Sequence, residues 1–225
     1  MNQYSEPTPV QKYVAELIGT FFLVFIGVMA IMNDANGSGI GLVGIALAHG
    51  LALAGAVAAV GGISGAHVNP AVSIALAATG KMNWSDVPGY IVAQLVGSLL
   101  AVLIARGLLG DVASLGACLP GTGVSEGVAL ATEIALTFLL VFVICSVATD
   151  PDSAGRAIVP LANGFTVSFD ILAGGPISGA AMNPARWFGP AVVGSNYTAA
   201  WVYLVGPIVG GGTGAFAYQF VRANK

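Results

Sequence analysis

The sequence predicts an all-α membrane protein with six transmembrane helices plus two re-entrant half-helices, arranged as an inverted repeat. Three observations carry that prediction: the composition, six apolar stretches of spanning length, and two motifs that each occur twice. The 225 residues are 56% hydrophobic and only 8% charged, where a soluble domain carries about 25% charged residues. Mean hydropathy is +0.88, so the bilayer is the natural solvent of this chain.

The formal net charge is only −3 and no basic or acidic run exists, which argues against nucleic acid or another polyanion as a partner. Cys118 and Cys145 are the only cysteines. The topology puts the first in an outer loop and the second near an inner helix end, so no disulfide is expected. The segment from Met1 to Lys12 is polar and contains Pro7 and Pro9. The apolar stretch after it is too long for a signal peptide and lacks a small-residue cleavage pattern, so it is expected to stay as the first span.

Six stretches can cross about 30 Å of hydrocarbon as helices. They run from Tyr13 to Met32, Ile40 to Val60, Val87 to Leu109, Gly127 to Ala148, Ala157 to Ala173 and Ala199 to Val221. The breaks, among them Asn33 to Gly39 and Thr149 to Arg156, are short, which suits one membrane domain over 1–225 and no soluble one. Lys12, Lys81, Arg156, Arg222 and Lys225 fall on one side of such a bundle and only Arg106 on the other. The excess of basic residues predicts that both termini are cytoplasmic.

The strongest internal signal is repetition. Ala15-Glu16-Leu17-Ile18-Gly19-Thr20-Phe21-Phe22-Leu23-Val24-Phe25 returns as Thr132-Glu133-Ile134-Ala135-Leu136-Thr137-Phe138-Leu139-Leu140-Val141-Phe142. Ser64-Gly65-Ala66-His67-Val68-Asn69-Pro70-Ala71 returns as Ser178-Gly179-Ala180-Ala181-Met182-Asn183-Pro184-Ala185. From glutamate to asparagine is 53 residues in the first copy and 50 in the second. Each copy, about 10–110 and about 126–222, holds three spans. An odd number forces the second copy to enter the membrane upside down relative to the first.

Each Asn-Pro-Ala follows a glycine-rich stretch and opens a short apolar run, Val72 to Thr79 and Trp187 to Val193. Asn is a favoured N-cap and Pro a favoured first helical residue, so both triplets read as helix starts. A ten-residue helix is only about 15 Å long, so two of them, entering from opposite faces, meet near the midplane. Non-helical backbone is tolerated there only where it is buried in protein or lines water. Gly61 to Val68 and Gly174 to Met182 are therefore expected to line a pore; the bland alternative is a pair of surface turns. An N-cap asparagine spends its carbonyl oxygen on its own helix and leaves its NH2 free. Donors from Asn69 and Asn183 would hold one water by its oxygen and turn its hydrogens outward, which breaks a proton wire. The two helix N-termini, about +0.5 charge each, add repulsion of cations.

With both triplets, both glutamate motifs and Asn-Pro-Ala-Arg at 183–186 in view, the chain resembles the major intrinsic proteins, the aquaporin and aquaglyceroporin family, over essentially its whole length. That resemblance implies a homotetramer in the cell membrane, with one pore per subunit for water and small uncharged solutes, and no cofactor. Close packing fits the small residues Ala93, Gly97 and Ala101, and Gly206, Gly210 and Gly214. The resemblance also places an outer filter at His49, Ile171, Ala180 and Arg186. This quartet is closer to the tonoplast intrinsic type or to archaeal aquaporins than to strict water channels, which carry Phe at the first position and His at the second. An aliphatic Ile171 widens the throat, which would admit ammonia or hydrogen peroxide beside water.

Each of these residues has a plainer reading. Arg186, a charge deep in a spanning protein, should face a watery cavity. His49 is a filter residue or a packed, hydrogen-bonded histidine; Ile171 and Ala180 owe their role to the resemblance alone. His67 lines the inner vestibule or braces its loop. Glu16 and Glu133 are intramembrane carboxylates, which the resemblance makes scaffolds for the re-entrant segments and not proton relays. Trp187, Leu204 and Asp170 depart from the usual pattern. Trp187 stands where water channels carry a small residue and glycerol facilitators an aspartate. Leu204 is aliphatic, as in the facilitators, and Asp170 reads as an interhelical hydrogen-bonding residue.

A glycerol facilitator is the nearest alternative: Ile171 and Leu204 favour it, while His49 and the missing aspartate after Arg186 oppose it. A coupled transporter would need ionisable groups at the midplane, where only asparagines are expected. An enzyme is not expected, because no nucleophile, base and orienting group converge, and two histidines do not suggest a metal site.

Overall fold

The computed structural model describes residues 6–152 and 155–222, with only the backbone of Arg156; Lys225 lies outside the described residues. Eight α-helices follow in order: α1 Pro9–Asn33, α2 Gly41–Ser64, α3 Pro70–Ala78, α4 Val87–Leu109, α5 Glu126–Ile144, α6 Val159–Ser178, α7 Pro184–Val193 and α8 Ala200–Arg222. Six are long and two, α3 and α7, have 9 and 10 residues. Local chemistry sets several starts. Thr8, just before Pro9, forms a reciprocal capping box with Gln11, and Ser125 caps α5 through the Val128 N–H.

Five of the long helices are apolar enough by themselves to cross a bilayer. The sixth, α6, is about 30 Å long at 1.5 Å per residue, but it buries Asn163, Thr166, Ser168 and Asp170. Its polar groups turn into the bundle. The surface of the bundle carries exposed apolar side chains such as Val92, Leu103, Phe165, Phe216 and Phe220, as a lipid-facing belt requires.

Packing repeats with the sequence. α1 lies against α4 as α5 lies against α8, and each short helix packs on the last long helix of the other repeat, α3 on α8 and α7 on α4. Helix backbones touch where the repeat places glycine. A side chain added at Gly97 would strike the Leu17 carbonyl, and one at Gly210 the matching Ile134 carbonyl. Such close approach replaces the hydrophobic effect as the source of helix association in lipid.

Two sequence expectations need correction. Gly61 to Ser64 and Gly174 to Ser178 were expected to be non-helical, yet α2 and α6 continue through them and stop at left-handed Gly65 (φ 88°) and Gly179 (φ 80°). Glycine breaks helices chiefly where water competes for the backbone; here packing and the low-dielectric surroundings keep the hydrogen bonds made. The sixth-span residue Leu204 is 42% exposed on the outside of the bundle, so it does not line a pore and says nothing about solute size.

Candidate functional site

The two re-entrant segments reduce to Gly65–Asn69 and Gly179–Asn183, and they are built alike. Ala66 and Val68 have φ of 49° and 45°, and Ala180 and Met182 have 46° and 51°. A β-branched valine in the left-handed region is a true outlier, and each such residue costs about 1–3 kcal/mol. The strain persists because the surroundings fix the backbone. Glu16 accepts from Ser64 Oγ (2.7 Å), His67 N (2.8 Å), Val68 N (2.7 Å) and Gln94 Nε2 (2.8 Å). Glu133 accepts from Ser178 Oγ (2.7 Å), Ala181 N (2.9 Å) and Met182 N (2.7 Å). Tyr90 and Tyr203 complete the pair, each donating at 2.8 Å to the carbonyl of the serine that ends α2 or α6. With their N–H groups held by carboxylates, the loop carbonyls are left for other partners.

Asn69 and Asn183 cap α3 and α7: their Oδ1 atoms accept from Ala71 N and Ala185 N, each at 2.9 Å. The NH2 groups were expected to be wholly free, and they are not. Asn69 Nδ2 donates to Met182 O, and Asn183 Nδ2 donates to Val68 O, both at 2.8 Å. An amide has two N–H bonds, so one ties the opposing loops together and one remains for a solute. The cross-tie fixes the direction in which the remaining donor points.

Around these residues lies a narrow cavity of about 30 Å³, lined by Asn69, Asn183, His49, Ile171, Ala180, Arg186 and His67. The four residues assigned to the outer filter thus share one space. The His49 ring lies against Gly27, where any larger residue would strike it, and its Nδ1 sits 2.8 Å from the Ile45 carbonyl. Donation from Nδ1 leaves Nε2 an acceptor. Arg186 is 3% exposed, has no ion pair among the described residues, and leaves Nη1 without a protein partner. A buried guanidinium so placed requires water or solute beside it.

His67 opens the cavity to a wider vestibule of about 680 Å³ that Glu6, Lys12, Lys81 and Asp86 also line. Its Nδ1 is 3.0 Å from Ser73 Oγ, which also accepts from Gln94. The second repeat lacks this polar relay and puts Trp187 there, buried and stacked on Tyr203 at 6.3 Å. Trp187 therefore packs on Tyr203 and is not part of the cavity lining.

Sequence reasoning missed Tyr90 and Tyr203, which their matched spacing of 26 and 25 residues after Ser64 and Ser178 could have revealed. It also missed Asn163, which shares the cavity wall with Val167 and Ile171 at helical spacing. Asp170 was read as a hydrogen-bonding residue. It is fully buried, and neither carboxyl oxygen has a partner among the described residues.

The family profile described as Major intrinsic protein matches residues 3–218. The chain belongs to the major intrinsic protein family. Among similar proteins, Aquaporin NIP1-1 of Zea mays is 46% identical over 220 residues, covering 96% of this chain and 77% of the relative. Aquaporin NIP1-3 of Oryza sativa subsp. japonica is 44% identical, covering 94% and 74%. These relatives are of the NIP type, not the tonoplast intrinsic type to which the quartet at His49, Ile171, Ala180 and Arg186 was likened. Among solved structures, the aquaglyceroporin from Plasmodium falciparum superposes with a TM-score of 0.88 at 27% identity, covering 96% of this chain and 97% of that one. The protein is thus an integral, multi-pass membrane protein of a channel family.

Proposed function

We propose that this protein is a passive channel that conducts water and small neutral molecules such as ammonia or hydrogen peroxide and excludes protons and ions. The observation that carries the reading is the opposed pair of asparagine caps, each with one N–H spent across the loops and one left over, bordering a cavity of only about 30 Å³. At roughly 10–15 Å³ per water on that measure, two or three waters fill it in file. The molecule between the donors is held by its oxygen, so it cannot pass a proton along the file. Arg186, buried without a counter-ion among the described residues, adds a barrier to cations.

Orientation follows the same logic as before. Lys12 and Lys81 share the vestibule and Lys81 and Arg222 a neighbouring pocket, whereas Arg106 pairs with Asp111 after α4. The face with the chain ends is the cytoplasmic one under the positive-inside rule, in the cell membrane, with the subunit working in a homotetramer.

A glycerol or small-polyol facilitator is the second reading. Aliphatic Ile171 in the filter and the likeness to an aquaglyceroporin favour it; His49 and the absence of an aspartate after Arg186 oppose it. Reconstituted vesicles shrunk with an impermeant osmolyte and then challenged with glycerol separate the two. Fast shrinkage without glycerol re-swelling is the expected result, and fast re-swelling would establish the facilitator. Exchanging His49→Phe together with Ile171→His should lower methylamine entry; unchanged entry would refute the assigned quartet.

A further inference from the structure

Toward the vestibule, which Val57 also lines and which reaches Ala148 and Val159 one helical turn beyond Ile144 and Asn163, the cavity's side-chain wall on α2 and α5 is aliphatic: Val57, Leu140 and Ile144. One polar side chain is added by α6. Asn163 lies one helical repeat from Val167 and two from Ile171, on the same face. It is 5% exposed, and its Oδ1 is enclosed with no hydrogen-bond partner among the described residues. Leucine or valine, as at its neighbours, would fill this place without burying an unmatched acceptor. Packing alone therefore does not account for an amide here.

We propose that Asn163 is a specificity-determining residue of the inner half of the pore, an amide that hydrogen-bonds the passing solute and favours small neutral molecules able to donate hydrogen bonds. The inference rests on the channel reading above. The donors of Asn69 and Asn183 hold the oxygen or nitrogen lone pair of the molecule at the midplane. Hydrogens in the inner half then point toward the terminal face, where the Ala66–Val68 loop lines one side of the cavity and the aliphatic side chains of α2 and α5 offer no acceptor. Asn163 Oδ1 supplies one. The terminal torsion of asparagine is soft, and no protein donor holds Oδ1 back, so the oxygen can turn to the file. Water and methylamine gain from such a station; a solute without donors does not.

The test compares Asn163→Thr with Asn163→Val, side chains of the same shape in which a hydroxyl replaces a methyl. Full-length wild type and both variants are reconstituted, and osmotic shrinkage and methylamine entry are measured per incorporated channel. Thr should stay near wild type, and Val should be slower for both solutes by about two- to tenfold, the worth of one hydrogen bond. The unfolding midpoint of the Val variant in detergent should match or exceed wild type, because Val suits the wall. Equal rates for Thr and Val with a fast wild type overturn this proposal alone. Wild-type vesicles that shrink no faster than empty ones overturn it together with the water-channel reading.

Discussion

Asn69 donates from Nδ2 to the carbonyl of Met182 at 2.8 Å, and Asn183 returns the bond to Val68 at the same distance. Each half of the chain thus positions the other's strained loop. Asn183→Ala removes a cap worth about 0.5–2 kcal/mol and unties one loop. Thermal unfolding in detergent should register a loss of about 1–3 kcal/mol, and water flux should fall. An unchanged midpoint would show that the cross-tie does not hold the loops.

Glu133 is fully buried and accepts three hydrogen bonds. Glu133→Ala strands two backbone N–H groups and a hydroxyl, at about 1–3 kcal/mol each, so folded yield should collapse. Glu133→Gln keeps one acceptor oxygen and should be milder. A scaffold leaves proton leak through the Gln variant unchanged, whereas a relay would alter it; pH-jump fluorescence in vesicles decides.

Asp150 fastens the segment after α5 to the end of α8. It accepts from Arg222 Nε at 2.5 Å and from Tyr218 Oη, while Asp152 accepts from Arg222 Nη2. Arg222 first, and Tyr218 second, hold the Asp150 carboxyl well below the usual range. A depressed folded-state pKa stabilises above the unfolded value near 3.9, and the stabilisation fades as pH falls through the folded value. The unfolding midpoint should be level from pH 7 to 5 and fall below about pH 4. Asp150→Asn should lower the midpoint at pH 7 and flatten that acid decline.

Cys118 and Cys145 are buried free thiols, and burial pushes the Cys118 thiol up to about 11. The thiolate is the reactive form, so little of Cys118 is reactive at neutral pH. Alanine, not cysteine, stands at 180 in the proposed filter. Brief mercurial treatment should therefore leave shrinkage rates unchanged; strong inhibition that disappears in Cys118→Ser would contradict this.

Much of the framework was legible because it is written twice. Glu16 and Glu133 stand at nearly equal spacing from the two Asn-Pro-Ala triplets, and in the structure each holds the loop that leads into its own triplet. Rotation and register were not legible. Leu204 and Tyr203 are neighbours in sequence, yet one is exposed and the other buried, and hydropathy cannot distinguish lipid from pore. The glycines at 61–62 and 174–175 suggested breaks by rules learned in water, but they sit inside helices. Asn163 was not legible, since only the helix packing shows that its face borders the cavity. No partner explains Asp170. Its carboxyl is buried near Glu133 without a donor among the described residues.

The central claim is that two asparagine donors at the midplane pass water and break the proton wire. Water and proton permeability measured in the same vesicles test it most directly. The account predicts rapid osmotic shrinkage with a low activation energy while proton leak stays at the level of empty vesicles. Proton flux that rises in step with water flux would contradict it.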